Sequence, residues 1–207
     1  MFTDIIFPNN NEAEFIEIAF KLGFRKIYFL YDFGEYNIEK VQKNLNAIKN
    51  YKNLNIETGF IVNQKNMNKA LLQSKLLVVK SSEKDRFFIE SKKIKLIYGF
   101  EETNKNDYLH QRASGLNHIL CELAKKNNVI IGFSYSLLMN KNQRYASLMM
   151  GRMIQNISLC KKYKVKTIIG SFSENPFEMR SPHDIVSLFT ILGMDKKNIK
   201  DSLMFYM

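Results

Sequence analysis

The sequence predicts an α/β protein, a single-domain irregular β/α barrel over residues 1–207, on three observations. Apolar runs and amphipathic stretches alternate along the chain. The apolar runs are short and almost uninterrupted, as in strands buried on both faces of a parallel sheet. No internal repeat, low-complexity linker or composition break divides the 207 residues, and a chain of this length buries about 70% of its unfolded surface in one unit. Seven strands over this length favour a small TIM-like barrel, with an open doubly wound sheet as the alternative.

Strands are expected at Thr3–Phe7, Lys26–Tyr31, Ile56–Val62, Leu76–Lys80, Lys95–Phe100, Val129–Phe133 and Lys166–Ser171. Helical patterns lie between them at Glu12–Leu22, Ile38–Tyr51, Met67–Ser74, Lys84–Ser91, Ser114–Asn127 and Gln143–Tyr163. A helix over Pro182–Leu192 follows the last strand and carries the clearest end signals. Ser181 is its N-cap, Pro182 suits the first helical position, Asp184 complements the dipole and Gly193 supplies the stop. Gly115, near the start of Ser114–Asn127, costs helix propensity and signals close packing or a special turn. In that helix Leu116, Ile119, Leu120 and Leu123 are the expected buried stripe.

Composition bounds the function. At 45% hydrophobic and 25% charged the chain is neither disordered nor collagen-like. Cys121 and Cys160 form no CxxC pair, which points to a reducing, cytoplasmic setting. Asp4 interrupts an amino terminus without a basic lead, so no signal peptide is expected. Val129–Met139 is too short and too serine-broken to cross a bilayer, so no membrane association is expected. No GxGxxG, GxxxxGK[ST] or GxSxG is present, and the three histidines form no HxH or HExxH pair. The residues supply neither a complete catalytic constellation nor a metal-ligand set, and no cofactor is expected on this chain.

Charge gives the first positive clue. The net charge of +11 and the isoelectric point near 9.5 suit a polyanionic partner. Crowding by Lys, Asn, Ile, Phe and Tyr, as from an A+T-biased genome, is the competing explanation. Distribution separates the two. No acidic residue lies between Glu122 and Glu174, a window holding Lys125, Lys126, Lys141, Arg144, Arg152, Lys161, Lys162, Lys164 and Lys166. Such a surface is free of charge that repels phosphate.

Around the helix Gln143–Tyr163, Met149, Met153, Ile157 and Cys160 share one face, while Arg144, Arg152, Gln155 and Lys162 gather opposite. This reads as a basic stripe backed by an apolar face; a solvated helix face is the alternative. Lys161 continues the stripe. His118 joins as a contact candidate because Arg112, Lys125 and Lys126 lie near it in sequence. Arg180, just before the Ser181 cap, marks a candidate phosphate site at a helix amino end, or else pairs with Glu174 or Glu178.

Several ordered segments carry a family resemblance: the run from His110 through Arg112, Ser114, Gly115 and His118 to Ala124, then Val129–Ser134, Gly151–Tyr163 and Glu178–Pro182. Together they resemble the archaeal ribonuclease P protein component 3 family, counterpart of the thirty-kilodalton subunit of the eukaryotic ribonuclease P and MRP complexes. The clear match runs from about Asp107 to Met194. The resemblance implies an irregular β/α barrel related to metal-dependent phosphoesterase barrels but without their metal ligands. It implies a subunit of the endonuclease that removes the 5′ leader of precursor tRNA, not itself the catalyst. The RNA subunit with bound Mg²⁺ would activate the water, and this chain would bind that RNA beside a small α/β protein subunit and other ribonuclease P proteins. Arg112, His118, Arg152 and Arg180 fall inside the matching motifs as RNA or partner contacts. Lys126, Lys161 and Lys162 follow on charge alone, and Arg144 on its place in the helical stripe. One rival is a free-standing metal-dependent phosphoesterase with ligands rearranged around Asp4, His110, His118 or His183. The other is an interaction scaffold whose charge is codon drift.

Overall fold

The computed structural model describes residues 2–35, 54–102, 106–107, 109, 111–139 and 142–204. Seven strands form one parallel sheet: β1 (Thr3–Ile6), β2 (Lys26–Asp32), β3 (Asn55–Ile61), β4 (Leu77–Lys80), β5 (Leu96–Tyr98), β6 (Ile130–Ser134) and β7 (Thr167–Gly170). Every strand pairs with its neighbours in sequence, so the sheet curls as β1 to β7 in order. Helices α1 (Glu12–Lys21), α2 (Met67–Ala70), α3 (Asp85–Glu90), α4 (His118–Asn127), α5 (Gln143–Tyr163), α6 (Pro182–Ile191) and α7 (Lys196–Leu203) are the described helices. The expected helix Ile38–Tyr51 lies outside the described residues.

Closure falls to residues just past the end of β7. Phe172 N–H donates to Ile5 O at 2.7 Å, Phe7 N–H donates to Ser173 O at 2.9 Å, and Ser171 N–H donates to Asp4 Oδ1 at 2.7 Å. Asp4 is wholly buried at this seam. Its Oδ1 also accepts from Ile5 N–H, and its Oδ2 accepts from the Tyr135 hydroxyl at 3.0 Å. Burial pushes its carboxyl up to about 6, against these donors. The barrel is therefore nearly closed, as the alternation of elements predicts.

The period of two along each strand divides the core. Ile5, Tyr28, Leu30, Val78, Leu96, Ile130 and Ile168 fill the interior, while Ile6, Phe29, Leu77, Val79, Ile97, Phe133 and Ile169 pack beneath the helices. At the carboxyl ends of the strands, Phe7, Tyr98 and Phe172 plug the interior, Tyr98 and Phe172 stacking at 4.8 Å with 11° between their rings. Gly132 makes room for the plug, since a Cβ there would stand 2.9 Å from Phe172 Cζ and 3.0 Å from Tyr98 Cβ.

Two expectations need correction. The fourth helix starts at His118, not Ser114, because Gly115 takes φ +79° with Phe100 O packed against its Cα. Of the expected stripe, Leu116 is buried just ahead of the helix and Leu120 and Leu123 pack partly buried against the core, whereas Ile119 is exposed and Cys121 and Ala124 are the helix's fully buried residues. Strand β5 ends at Tyr98 because Gly99 turns at φ +78° into a 3-10 turn over Phe100–Glu102.

Candidate nucleic-acid interface

The barrel mouth, where β/α-barrel enzymes place their chemistry, opens into a cavity of about 930 Å³. Glu12, Asp32, Glu35, Glu102, Glu174 and Glu178 line it together with Lys80, which pairs with Glu102 at 3.0 Å. Burial, and then Glu102, Asp32 and Glu174, hold the Tyr98 hydroxyl well above the ordinary phenol range. Among the described lining residues the carboxylates outnumber the one lysine, a balance of charge that disfavours phosphate there. Among the described residues no three His, Cys, Asp or Glu side chains are grouped to hold a metal ion. His118 and His183 are exposed on α4 and α6 while Asp4 is buried at the seam, and His110 lies outside the described residues.

The cationic candidates sit on the outer helices and their loops. Arg144 is exposed in the first turn of α5, after Asn142, whose Oδ1 accepts from the N–H groups of Arg144 and Tyr145. Lys161 and Lys162 end the same helix, about 25 Å further on at 1.5 Å per residue. Lys161 forms an exposed ion pair with Asp195 at 3.0 Å, and the Lys162 ammonium lies 5.5 Å from the centre of the Tyr163 ring. His118 opens α4 and Lys126 lies near its end; both are exposed. Arg180 is exposed, with its guanidinium donating to the carbonyls of Phe177 and Met179 rather than to Glu174 or Glu178. The amino end of α6 beside it is filled by Asp184, which accepts from the Ser181 hydroxyl at 2.7 Å.

Arg152 departs from the expected stripe. Its side chain is 2% exposed: Nε donates to Asp107 Oδ1 and Nη1 donates to Glu101 O, each at 2.9 Å. Asp107 and the residues 111–117 lie against this face of α5 and cover it, so Arg152 does not meet RNA directly. Gln155 on the same face binds that segment, donating to Arg112 O at 3.0 Å and to Ser114 Oγ at 2.8 Å. Asn156 donates to Glu101 Oε1 at 2.7 Å and to Ser114 O at 2.9 Å. Burial pushes the Glu101 carboxyl up to about 7, despite the bond from Asn156. Arg112 joins from the solvent side, its Nη1 donating to Asp107 Oδ2 at 3.2 Å. Burial works against the Asp107 carboxylate, but the Ala113 N–H and the Arg152 and Arg112 guanidiniums hold its titration below the usual range. Sequence reasoning did not find Glu101, Asp107 or Asn156 as members of this network. Partners 45 to 55 residues apart leave no periodic signal.

Fold and surface together define a class: a seven-stranded parallel β/α barrel with an acidic mouth and its cationic candidates on the outer helices and loops. Within that class, the chain belongs to the RNase P subunit p30 family, whose model matches residues 1–205. Ribonuclease P protein component 3 of Thermococcus kodakarensis is 37% identical over 92 residues, 44% of this chain and 42% of that protein. Its counterpart from Thermococcus gammatolerans is 33% identical over 99 residues, 48% and 46% respectively. These alignments span less than half the length of either relative. The fold is also that of a chain in the cryo-EM structure of archaeal ribonuclease P with mature tRNA, at TM-score 0.80 and 18% identity, over 97% of this chain and 87% of that one.

Proposed function

We propose that this chain is a protein subunit of ribonuclease P and helps the catalytic RNA remove 5′ leaders from precursor tRNA. Membership of the RNase P subunit p30 family over residues 1–205 carries the reading. The division of charge supports it: an acidic mouth leaves phosphate to the outer helices. Arg112, Arg144, Lys126, Lys161, Lys162 and Arg180, with His118, are the RNA contacts of this proposal, and Arg152 contributes through Asp107. Mg²⁺ belongs to the RNA subunit, the protein supplying cations and shape. A small α/β protein subunit and other ribonuclease P proteins complete a cytoplasmic complex.

The test is 5′ cleavage of precursor tRNA by cognate ribonuclease P RNA and partner proteins, with and without this chain. The chain is expected to be inert alone with Mg²⁺, yet to raise the rate of the complex or lower its Mg²⁺ requirement. No change in the complex overturns the reading, and cleavage by the protein alone replaces it with a metalloenzyme.

A further inference from the structure

Gly151 stands inside the long helix α5, where glycine weakens a helix and nothing about a turn requires it. The Arg112 guanidinium occupies the space its side chain would take. A Cβ on Gly151 would meet Arg112 Cζ and lie 2.6 Å from Nη1 and 2.7 Å from Nε. The rest of Arg112 is also held. Its N–H donates to Gln155 Oε1 at 3.3 Å, its carbonyl accepts from Gln155 Nε2, and its Nη1 reaches Asp107 Oδ2. Asp107 is itself fixed by Arg152 Nε and by Ala113 N–H, both at 2.9 Å. Yet the Arg112 side chain remains 49% exposed, against 2% for Arg152.

An arginine serving only the fold has no need of an open face, and an ordinary surface arginine is not held at backbone, carboxylate and helix together. We propose that Gly151 and Asp107 are positioning residues that fix the Arg112 guanidinium on α5 as a preformed contact for an RNA phosphate. Arginine suits this task because its planar fork presents several donors in fixed directions. Immobilising the side chain beforehand removes the rotamer entropy that a free arginine loses on binding. The inference rests on the reading of Arg112 as an RNA contact.

Gly151→Ala separates binding from folding. The added methyl meets the tip of a flexible side chain, so Arg112 moves while the helix gains propensity. The denaturation midpoint is expected to hold or rise, and affinity for the ribonuclease P RNA to fall about five- to tenfold. Arg112→Ala is expected to weaken binding at least as much, with the double variant no weaker than Arg112→Ala alone. Nε–H resonances give a second readout, since the chain has six arginines: that of Arg112 should exchange faster with water in Gly151→Ala and in Asp107→Asn. Unchanged RNA affinity in Gly151→Ala alongside a loss in Arg112→Ala overturns the positioning role alone. Unchanged affinity in Arg112→Ala overturns the RNA contact itself.

Discussion

Arg152 and Arg112 share one carboxylate, that of Asp107, and differ in everything else. Helical spacing put Arg152 on an open face, but the segment before α4 roofs it over. Removing a buried cation leaves Asp107 and the Glu101 carbonyl short of donors. Arg152→Ala should therefore cost about 2–4 kcal/mol in denaturant unfolding, whereas Arg112→Ala should stay within about 1 kcal/mol. Glu101 makes a prediction in pH. Its Oε2 and the Asn156 Oδ1 are the buried side-chain oxygens that lack a donor among the described residues. With its carboxyl raised from 4.5 to about 7, the folded state holds a proton that the unfolded state has released. Stability should thus fall as pH rises from about 4.5 to 7 and level off above. Asp4, raised from 3.8 to about 6, acts in the same direction over a lower window. Glu101→Gln keeps a donor at every pH. Its unfolding free energy should vary less across that range and exceed the parent's by about 2 kcal/mol at pH 8.

Elements whose signal is local were legible in the sequence. All seven strands fall within a few residues of their expected limits, and α5 matches at both ends, because near-continuous apolar runs and one helical period need no tertiary information. The start of α4 was not legible. Residues Ser114–Asn117 continue the apolar pattern through Leu116, but Gly115 adopts a left-handed conformation against the Phe100 carbonyl. Gly115→Ala should lower stability by about 2 kcal/mol, from strained φ and the carbonyl clash together, and thermal unfolding would measure it. Helix α7 was missed because its polar sequence offers only Ile199 and Leu203 as an apolar pair. Among the candidate site residues, Arg112, His118, Lys126, Arg144 and Arg180 are exposed, whereas Arg152, placed by helical spacing, is buried. The network beneath them is built from contacts between loops, which spacing does not encode.

For the molecule as a whole, the net charge of +11 conceals a division. Carboxylates dominate the described lining of the mouth, whereas the stretch free of acidic residues in sequence runs through α5, where Asp195 and Asp107 reach Lys161 and Arg152 from other segments. RNA binding should be steep in salt, and Arg112→Ala should lower the log–log slope by about 0.7–0.9, the share of one phosphate. Neutralising the mouth through Glu35→Gln and Glu174→Gln should leave affinity within about twofold, as measured by titration at several salt concentrations. A larger gain would mean that RNA lies across the mouth.

The seam at Asp4 also has a consequence in time. Strands that pair only with their sequence neighbours can be laid down one after another as the polypeptide leaves the ribosome. Asp4 and Ser171, however, are separated by 167 positions. Until the last of these emerges, the nascent sheet is a curved ribbon with β1 as a bare edge, and its carboxylate remains in water. Closing that edge must wait for residues just past β7, so β1 stays open to edge-to-edge pairing longer than the strands that follow it.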